Sequence, residues 1–368
     1  FIRVDGGGGS NAGAAKTGSG GGGRIAVHYN TILPLAAVRF SANHGLTGPY
    51  LYNYSVPSDV VAPTLGTVWF PDGSLWSRAL ESWGGIADSI NGNLYFGDGG
   101  TVCTITNLSL LRNSNLMMGA GQEWSLTTDI TIQTSRLTVA ESAKLYCKGD
   151  MVLGDYSELI AWSGPTNGIS GEIYGSLVEV DGEMLISSNA WVYPFANSTN
   201  GAAPFFEVGK LMVKHGGGIN ADGCGFARGA GPGCGVSGYN AGGAGYGGDG
   251  GAGQRFGRGY AYGSALRPAL PGSGGGIYSS GRGHGGGLIW IKARQEILLD
   301  GLLTACGGST RTTRGGGGSG GGIYLVAPKI AGGQTAIFRC DGGQGTAGAS
   351  GGGGGGRIAV WFGVEYSP

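Results

Sequence analysis

The chain has 368 residues, a formal net charge of zero from 23 basic and 23 acidic residues, and 84 glycines. Zero net charge excludes a partner held through phosphates, which needs a basic surplus, so the Arg-Gly pieces at Arg258, Arg282 and Arg314 do not make an RNA-binding tail. Hydrophobic residues at 40% exclude a polar glycine linker, and no apolar run approaches the roughly 18 residues of a membrane span.

Glycine loses more backbone entropy on folding than any other residue. Long glycine runs between apolar strands therefore require compensation, and extended backbones hydrogen-bonded where no Cβ would fit can supply it. The first segment, residues 1–38, reads as such a glycine-rich coil: FIRVDGG, a run from Gly20 to Gly23, then RIAV from Arg24. A start at Phe1 with no signal peptide is expected of a processed product or a window of a longer chain.

Residues 39–210 read as β-solenoid strands. Stretches such as Thr128 to Ala140, Ala143 to Gly154, Gly175 to Ser187 and Gly209 to Gly223 alternate apolar and polar residues between Gly or Asp turns. No helical period competes. About ten residues per strand fits a parallel β-helix or an antiparallel sandwich. The β-helix is preferred, because hairpin signals are few, Asn91-Gly92 and Asn167-Gly168 being the main ones. Residues 211–287 form a Gly/Tyr-rich segment. From Cys224 onward it has almost no apolar run, as expected of a polyglycine-type bundle or a lateral loop.

Residues 288–368 repeat. LIWIKA from Leu288, IYLVAP from Ile323 and IAVWFG from Ile358 are spaced 35 residues apart. Each unit would leave an apolar face bare alone and bury it by stacking on the next. A longer repeat joins the ends, since FIRVDGG, Gly20 to Gly23 and RIAV match IFRCDGG from Ile337, Gly351 to Gly356 and RIAV from Arg357. The chain thus opens with the motif on which it closes. The expectation is either a tandem array or an N-terminal coil that caps the C-terminal coil of a neighbouring copy, both head-to-tail polymers.

The motifs GGGGGGRIAV at Gly351 to Val360, GGGGRIAVHY at Gly20 to Tyr29 and GGGSGGGIYLVAPKIAG at Gly316 to Gly332 resemble the glycine-rich repeat surface and matrix proteins of algae, plants, oomycetes and some bacteria. The resemblance covers Phe1 to Val38 and Gly285 to Gly363. It implies an extracellular or cell-surface structural protein, such as a filamentous appendage subunit resembling a flagellar hair, and carries over no catalytic residue.

Six cysteines suit three disulfides, Cys103 with Cys147, Cys224 with Cys234 and Cys306 with Cys340. Glycosylation sequons stand at Asn53, Asn107 and Asn197. Both features favour a secreted setting. Carboxylates Asp150, Asp155, Asp181 and Glu183 share no spacing and read as turn residues rather than a sugar-cleaving pair. The histidines His28, His44, His215 and His284 are isolated, so neither a triad nor a metal site is expected. Gly242 to Asp249 resembles a calcium-binding nonapeptide, yet Gly247 replaces the Asp and Asp249 comes two positions late. Thr127, Thr128, Thr131 and Thr134 could form an outward ladder, though strand propensity explains them more simply.

Tryptophans Trp69, Trp76, Trp83, Trp124, Trp162, Trp191, Trp290 and Trp361 read as core, with an interface or sugar-stacking face as the alternative. The expected function is a structural subunit of an extracellular filament or coat, self-associating and without cofactor. A glycan-binding adhesin or fibre tip is the alternative reading. A polysaccharide-active β-helix enzyme comes after that.

Overall fold

Alternating apolar and polar residues give a strand with one buried face, and the computed structural model of the protein contains many such strands and no helix among its described residues. The structure describes residues 2–7, 20–30, 40–42, 65–71, 91–96, 102–111, 114–165, 174–254, 257–278, 283–310, 314–346 and 350–363. In chain order the first strands are β1 Ile2–Arg3, β2 Arg24–Ala26, β3 Phe40–Ser41, β4 Thr67–Phe70, β5 Asn91–Phe96, β6 Val102–Ile105, β7 Leu108–Leu110 and β8 Asn115–Met118. The middle strands are β9 Glu123–Leu126, β10 Ile130–Ile132, β11 Arg136–Val139, β12 Lys144–Cys147, β13 Met151–Leu153, β14 Glu158–Trp162, β15 Ser176–Ile186 and β16 Trp191–Phe195. The last are β17 Pro204–Val213, β18 Gly218–Asn220, β19 Leu288–Leu299, β20 Leu302–Thr304, β21 Gly322–Val326, β22 Lys329–Gly332, β23 Ile337–Arg339 and β24 Arg357–Trp361.

Every strand pairing among the described residues is parallel. That removes the antiparallel sandwich. Asn91-Gly92, a hairpin signal by sequence, instead opens strand β5, while Asn167-Gly168 lies outside the described residues.

The strands form two 12-stranded sheets, and the second contains two ladders, so three ladders run through the molecule. The first is β1-β3-β5-β8-β11-β14-β16-β18-β20-β23, joined at β5 by a branch in which β2 pairs with β4 and β4 with β5, and the second is β6-β9-β12-β15-β17-β19-β21-β24. The third joins β7, β10 and β13 to the C-terminal halves of β15, β17 and β19, and then to β22. Bulges between Val180 and Glu183 and between Val208 and Lys210 let a single strand serve both the second and third ladders. From β6 onward the chain visits the second, third and first ladders in that order, circuit after circuit.

Inward residues from all three ladders stack into columns. One column runs Trp124, Leu145, Val178, Phe206, Ile291, Leu325, Val360. Another runs Leu116, Leu137, Leu159, Val192, Ile219, Leu303, Phe338, and a third runs Leu108, Ile130, Met151, Met184, Leu211, Ile297, Ile330. Apart from the terminal Val360, they belong to or pack against one core cluster. Fully burying each such side chain contributes about 1.5–3 kcal/mol.

Corners are fixed by polar side chains and by left-handed residues. Asp129 accepts from the Asp150 N–H at 2.8 Å, and Asp150 accepts from the Glu183 N–H one circuit on at 2.7 Å. At the next corner Thr134, Tyr156 and Asn189 hold φ of 47°, 57° and 58°, a conformation that costs a β-carbon residue about 1–2 kcal/mol.

Glycine enters where the chain passes from the first ladder to the second. Between β18 and β19, β20 and β21, and β23 and β24 lie glycine-rich excursions, described over residues 221–254, 257–278, 283–287, 305–310, 314–321, 340–346 and 350–356. These excursions hydrogen-bond backbone to backbone. Gly251 donates to Gly352 at 2.7 Å, Gly317 to Gly351 at 2.9 Å and Gly343 to Gly318 at 2.8 Å. A Cβ on Gly243 would overlap the Gly352 carbonyl, and one on Gly353 would overlap that of Gly318.

The structure corrects the repeat by one residue. Ile289, not Leu288, pairs with Ile323, which pairs with Ile358. Because successive strand side chains face opposite sides, this puts Ile289 and Ile323 in the core. Leu288 faces the other way, with Phe205 and Trp290.

Candidate functional site

Apolar residues in line with buried columns are left bare at the ends of the ladders. At the β24 end the columns that are buried everywhere below finish on bare residues. Val360, above buried Leu325, is 38% exposed, and Ile358, above buried Ile323, is 46% exposed. Phe362 beside them is 73% exposed. At the β1 end Ile2 pairs with buried Phe40 yet is 43% exposed itself, while Val4 and Val27 are partly buried against the core. Among the described residues no strand pairs with the outer edges of β1, β2, β22, β23 or β24.

The two ends share one local geometry. Arg3 is paired to Asp5 at 2.6 Å, and Arg339 to Asp341 at 2.7 Å. The Gly23 N–H donates to the Val4 carbonyl at 2.7 Å, and the Gly356 N–H to the Cys340 carbonyl at 2.7 Å. Gly20 donates to Gly7 at 2.9 Å, as Gly353 does to Gly343 at 2.8 Å. A Cβ on Gly6 would overlap the Gly20 carbonyl, and one on Gly342 would overlap that of Gly353. The sequence match between the ends is therefore a match of hydrogen bonds and close approaches.

All six cysteines are free thiols, so none of the three expected disulfides is present. Cys103 pairs with Trp124 and thus shares a column with Leu145, so Cys147 stands two strands and two residues away. At about 4.8 Å per strand this exceeds the roughly 7 Å limit for a bridge. Cys340 follows on from Arg339 opposite Ala305, and its neighbour in sequence Asp341 donates its N–H to the Cys306 sulfur at 3.4 Å. Adjacent register positions point to opposite faces, which keeps these two sulfurs apart. Cys224 donates instead to the Asp222 carbonyl at 3.4 Å, and Cys234 is half-buried. Burial raises the Cys147 thiol to about 11, and it raises Cys224 and Cys340 further.

Of the sequons, Asn107 is half-buried with its Oδ1 enclosed, Asn197 sits in a turn where its Oδ1 accepts from the Thr199 and Asn200 N–H groups, and Asn53 lies outside the described residues. The carboxylates do not converge. Asp150 is a corner acceptor, Asp181 pairs with Lys148 at 3.0 Å and Arg294 at 2.8 Å, and Glu183 faces Lys210 at 3.9 Å. Burial raises Asp181, but hydrogen bonds from Lys148 and Arg294 outweigh it and hold the carboxyl below its ordinary range. Glu296 is lowered by hydrogen bonds from Lys210 and then Lys329, while burial and then Glu207 raise Glu179.

His28 lies against Trp69 with ring centres 4.8 Å apart. The carbonyl of His215 accepts from Ser188, and that of His284 from Gly308. His44 lies outside the described residues. Among the described residues no group of three or more His, Cys, Asp or Glu could hold a metal. Asp249, the nearest to a calcium ligand by sequence, pairs with Arg258 at 3.1 Å and accepts from the Ala261 N–H. Thr127 and Thr128 turn their hydroxyls onto the Thr106 carbonyl and Thr134 occupies a left-handed turn, so no flat threonine face forms.

Trp124 is wholly buried, while Trp290 joins an outer row, 4.6 Å from Phe205 and 6.5 Å from Tyr324. Trp162 is 40% exposed and stacks on Phe195, and Trp361 is 42% exposed and donates to the Leu266 carbonyl. Trp69 and Trp191 are half-buried, and Trp76 and Trp83 lie outside the described residues. No described helix is long and apolar enough to cross a membrane. Comparison of the chain with family models, curated proteins and solved structures finds no match.

Proposed function

We propose that this chain is a glycine-rich parallel β-solenoid that serves as the structural subunit of an extracellular filament or surface coat, assembling head to tail through its ends. The supporting observation is the pair of ends. The last strand leaves Ile358 and Val360 bare and the first leaves Ile2 bare, each in line with a buried column, and the first motif repeats the hydrogen bonds of the last. An open parallel edge invites another strand. A contact between two different ends does not close on itself, so it yields a filament.

Extracellular placement rests on the resemblance to glycine-rich surface proteins and on the turn sequon at Asn197, not on the cysteines. No catalytic role is assigned to any residue. Negative-stain imaging of the purified chain tests the reading: filaments one subunit wide are expected, and dispersed particles at all concentrations would overturn it.

One observation favours a second reading, a glycan-binding module. Tyr239, Tyr260 and Tyr278 are exposed on the glycine-rich excursion, with Arg314 3.9 Å above the Tyr239 ring and Arg258 5.8 Å from that of Tyr260. Saturable binding to a glycan array, lost in Tyr260→Ala, would support it.

A further inference from the structure

Gly355 stands open where its counterparts on successive circuits are enclosed. Within the chain, the residue two before each of the strands β2, β19, β21 and β24 is Gly22, Gly286, Gly320 and Gly355. The first three are roofed by the next circuit in the same way. A Cβ on Gly22 would overlap the Ala42 carbonyl and lie 2.6 Å from the Gly66 nitrogen. On Gly286 it would overlap the Ala305 carbonyl and lie 2.5 Å from the Gly321 nitrogen. On Gly320 it would overlap the Cys340 carbonyl and lie 2.6 Å from the Gly356 nitrogen. A Cβ on Gly355 would meet nothing within 4 Å, and its φ is not left-handed, although its carbonyl accepts from the Gly247 N–H at 2.9 Å.

Each roof is one carbonyl and one N–H that are bonded to each other: Gly66 to Ala42 at 2.6 Å, Gly321 to Ala305 at 2.7 Å, Gly356 to Cys340 at 2.7 Å. The next member of that series is the bond from Gly23 to Val4, at 2.7 Å, at the opposite end of the molecule. We infer that the Val4–Gly23 pair of a second copy of this chain seats over Gly355, which sets the joint in one register, with β1 on β23 and β2 on β24. The inference deepens the head-to-tail reading and rests on it.

The register follows from the columns. Ile2 faces inward, since it pairs with buried Phe40, and the alignment lays it over Phe338, which is packed against the core. Val4 lies over Cys340, both lining the core. Ile25 and Val27 cover Ile358 and Val360, the bare ends of their columns. In the internal joints Arg357 N–H donates to Gly321 and Thr67 N–H to Gly23, each at 3.0 Å. The same step across the joint has Arg24 N–H of the second copy donate to the Gly356 carbonyl. A slip of one residue would turn Ile2, Val4 and Ile25 outward.

The test uses three variants of the full chain. Gly355→Val is expected to melt at the wild-type temperature and to remain monomeric by size exclusion and imaging. Gly320→Val, its internal equivalent, is expected to melt well below wild type. Val4→Cys places its sulfur beside Cys340 of the next copy, with Cα atoms about 4.8 Å apart, within disulfide reach. Air oxidation with copper phenanthroline should then give a ladder of covalent multimers. Arg3→Cys, which faces outward, and Val4→Cys combined with Cys340→Ser should not give it. Wild-type filaments together with normal polymerisation of Gly355→Val and no Val4→Cys ladder would overturn this register and leave the filament reading standing. Absence of wild-type filaments would overturn both.

Discussion

The apolar ladders between Val102 and Val213 and the glycine layers between Gly223 and Gly356 are two solutions to one problem, how to stack a chain on itself. In the ladders each level adds side chains to a column, and the backbones stay about 4.8 Å apart with Cβ atoms filling the centre. In the glycine layers the backbones themselves fill the space, bonded at 2.7–3.0 Å through pairs such as Gly251 to Gly352 and Gly318 to Gly308. The first should tolerate a change of shape and suffer from lost volume. The second should suffer from a single added methyl.

The largest effect is expected in the ladders. Trp124→Ala, which empties a wholly buried site, should cost about 3–5 kcal/mol in urea unfolding. A loss below about 1 kcal/mol would show that the columns are not what holds this region.

Next comes a matched pair in the glycine layers. Gly243→Ala meets the Gly352 and Gly351 backbones, whereas Gly248→Ala meets nothing within 4 Å. The first should destabilise by about 1–3 kcal/mol and the second by less than about 0.5 kcal/mol. Equal effects would break the distinction between the two regions.

Acid sharpens it further, because the cross-strand carboxylates sit on the ladders. Asp181 and Glu296 titrate below their ordinary range in the fold. Their contribution is therefore fully present above the unfolded value and is lost as pH falls through the folded one, below about pH 4. Glu179, raised by burial and then by Glu207, acts in the opposite sense. The melting temperature should fall between about pH 5 and 3, and less steeply in Asp181→Asn. The smallest effect is a gain. Tyr156→Asn, at a φ of 57° with an exposed ring, should stabilise by about 0.5–1 kcal/mol.

Much of this architecture was legible in the sequence, for identifiable reasons. Strand alternation between Thr128 and Ser187 gave the all-β class, and the repeat of FIRVDGG in IFRCDGG pointed to the matching ends. The one-residue error at Leu288 arose because LIWI is apolar on both faces: Ile289 and Ile291 fill the core while Leu288 and Trp290 build the outer aromatic row. The circuits near Asn115, Arg136 and Glu158 are offset by 21 and 22 residues yet share no motif, since a column accepts any apolar side chain of suitable size.

The disulfide expectation failed because spacing along the chain says nothing about which strand intervenes, as β9 does between Cys103 and Cys147. The corner acceptor Asp150 was read only as a turn residue and Asp129 was not singled out, because their partners lie one circuit away. Gly355 was invisible among its five glycine neighbours in the run from Gly351 to Gly356. Only the series of roofs over Gly22, Gly286 and Gly320 singles it out.

The central claim is that the strand stack continues from one copy into the next, with β1 on β23 and β2 on β24. The first ladder has ten strands, each rising about 4.8 Å. A cryo-EM helical reconstruction of the proposed filament should therefore give an axial rise of about 48 Å per subunit, with the strand spacing unbroken through the joint. A rise well above that value, a gap in the ladders at the joint, or side-by-side packing of subunits would contradict it.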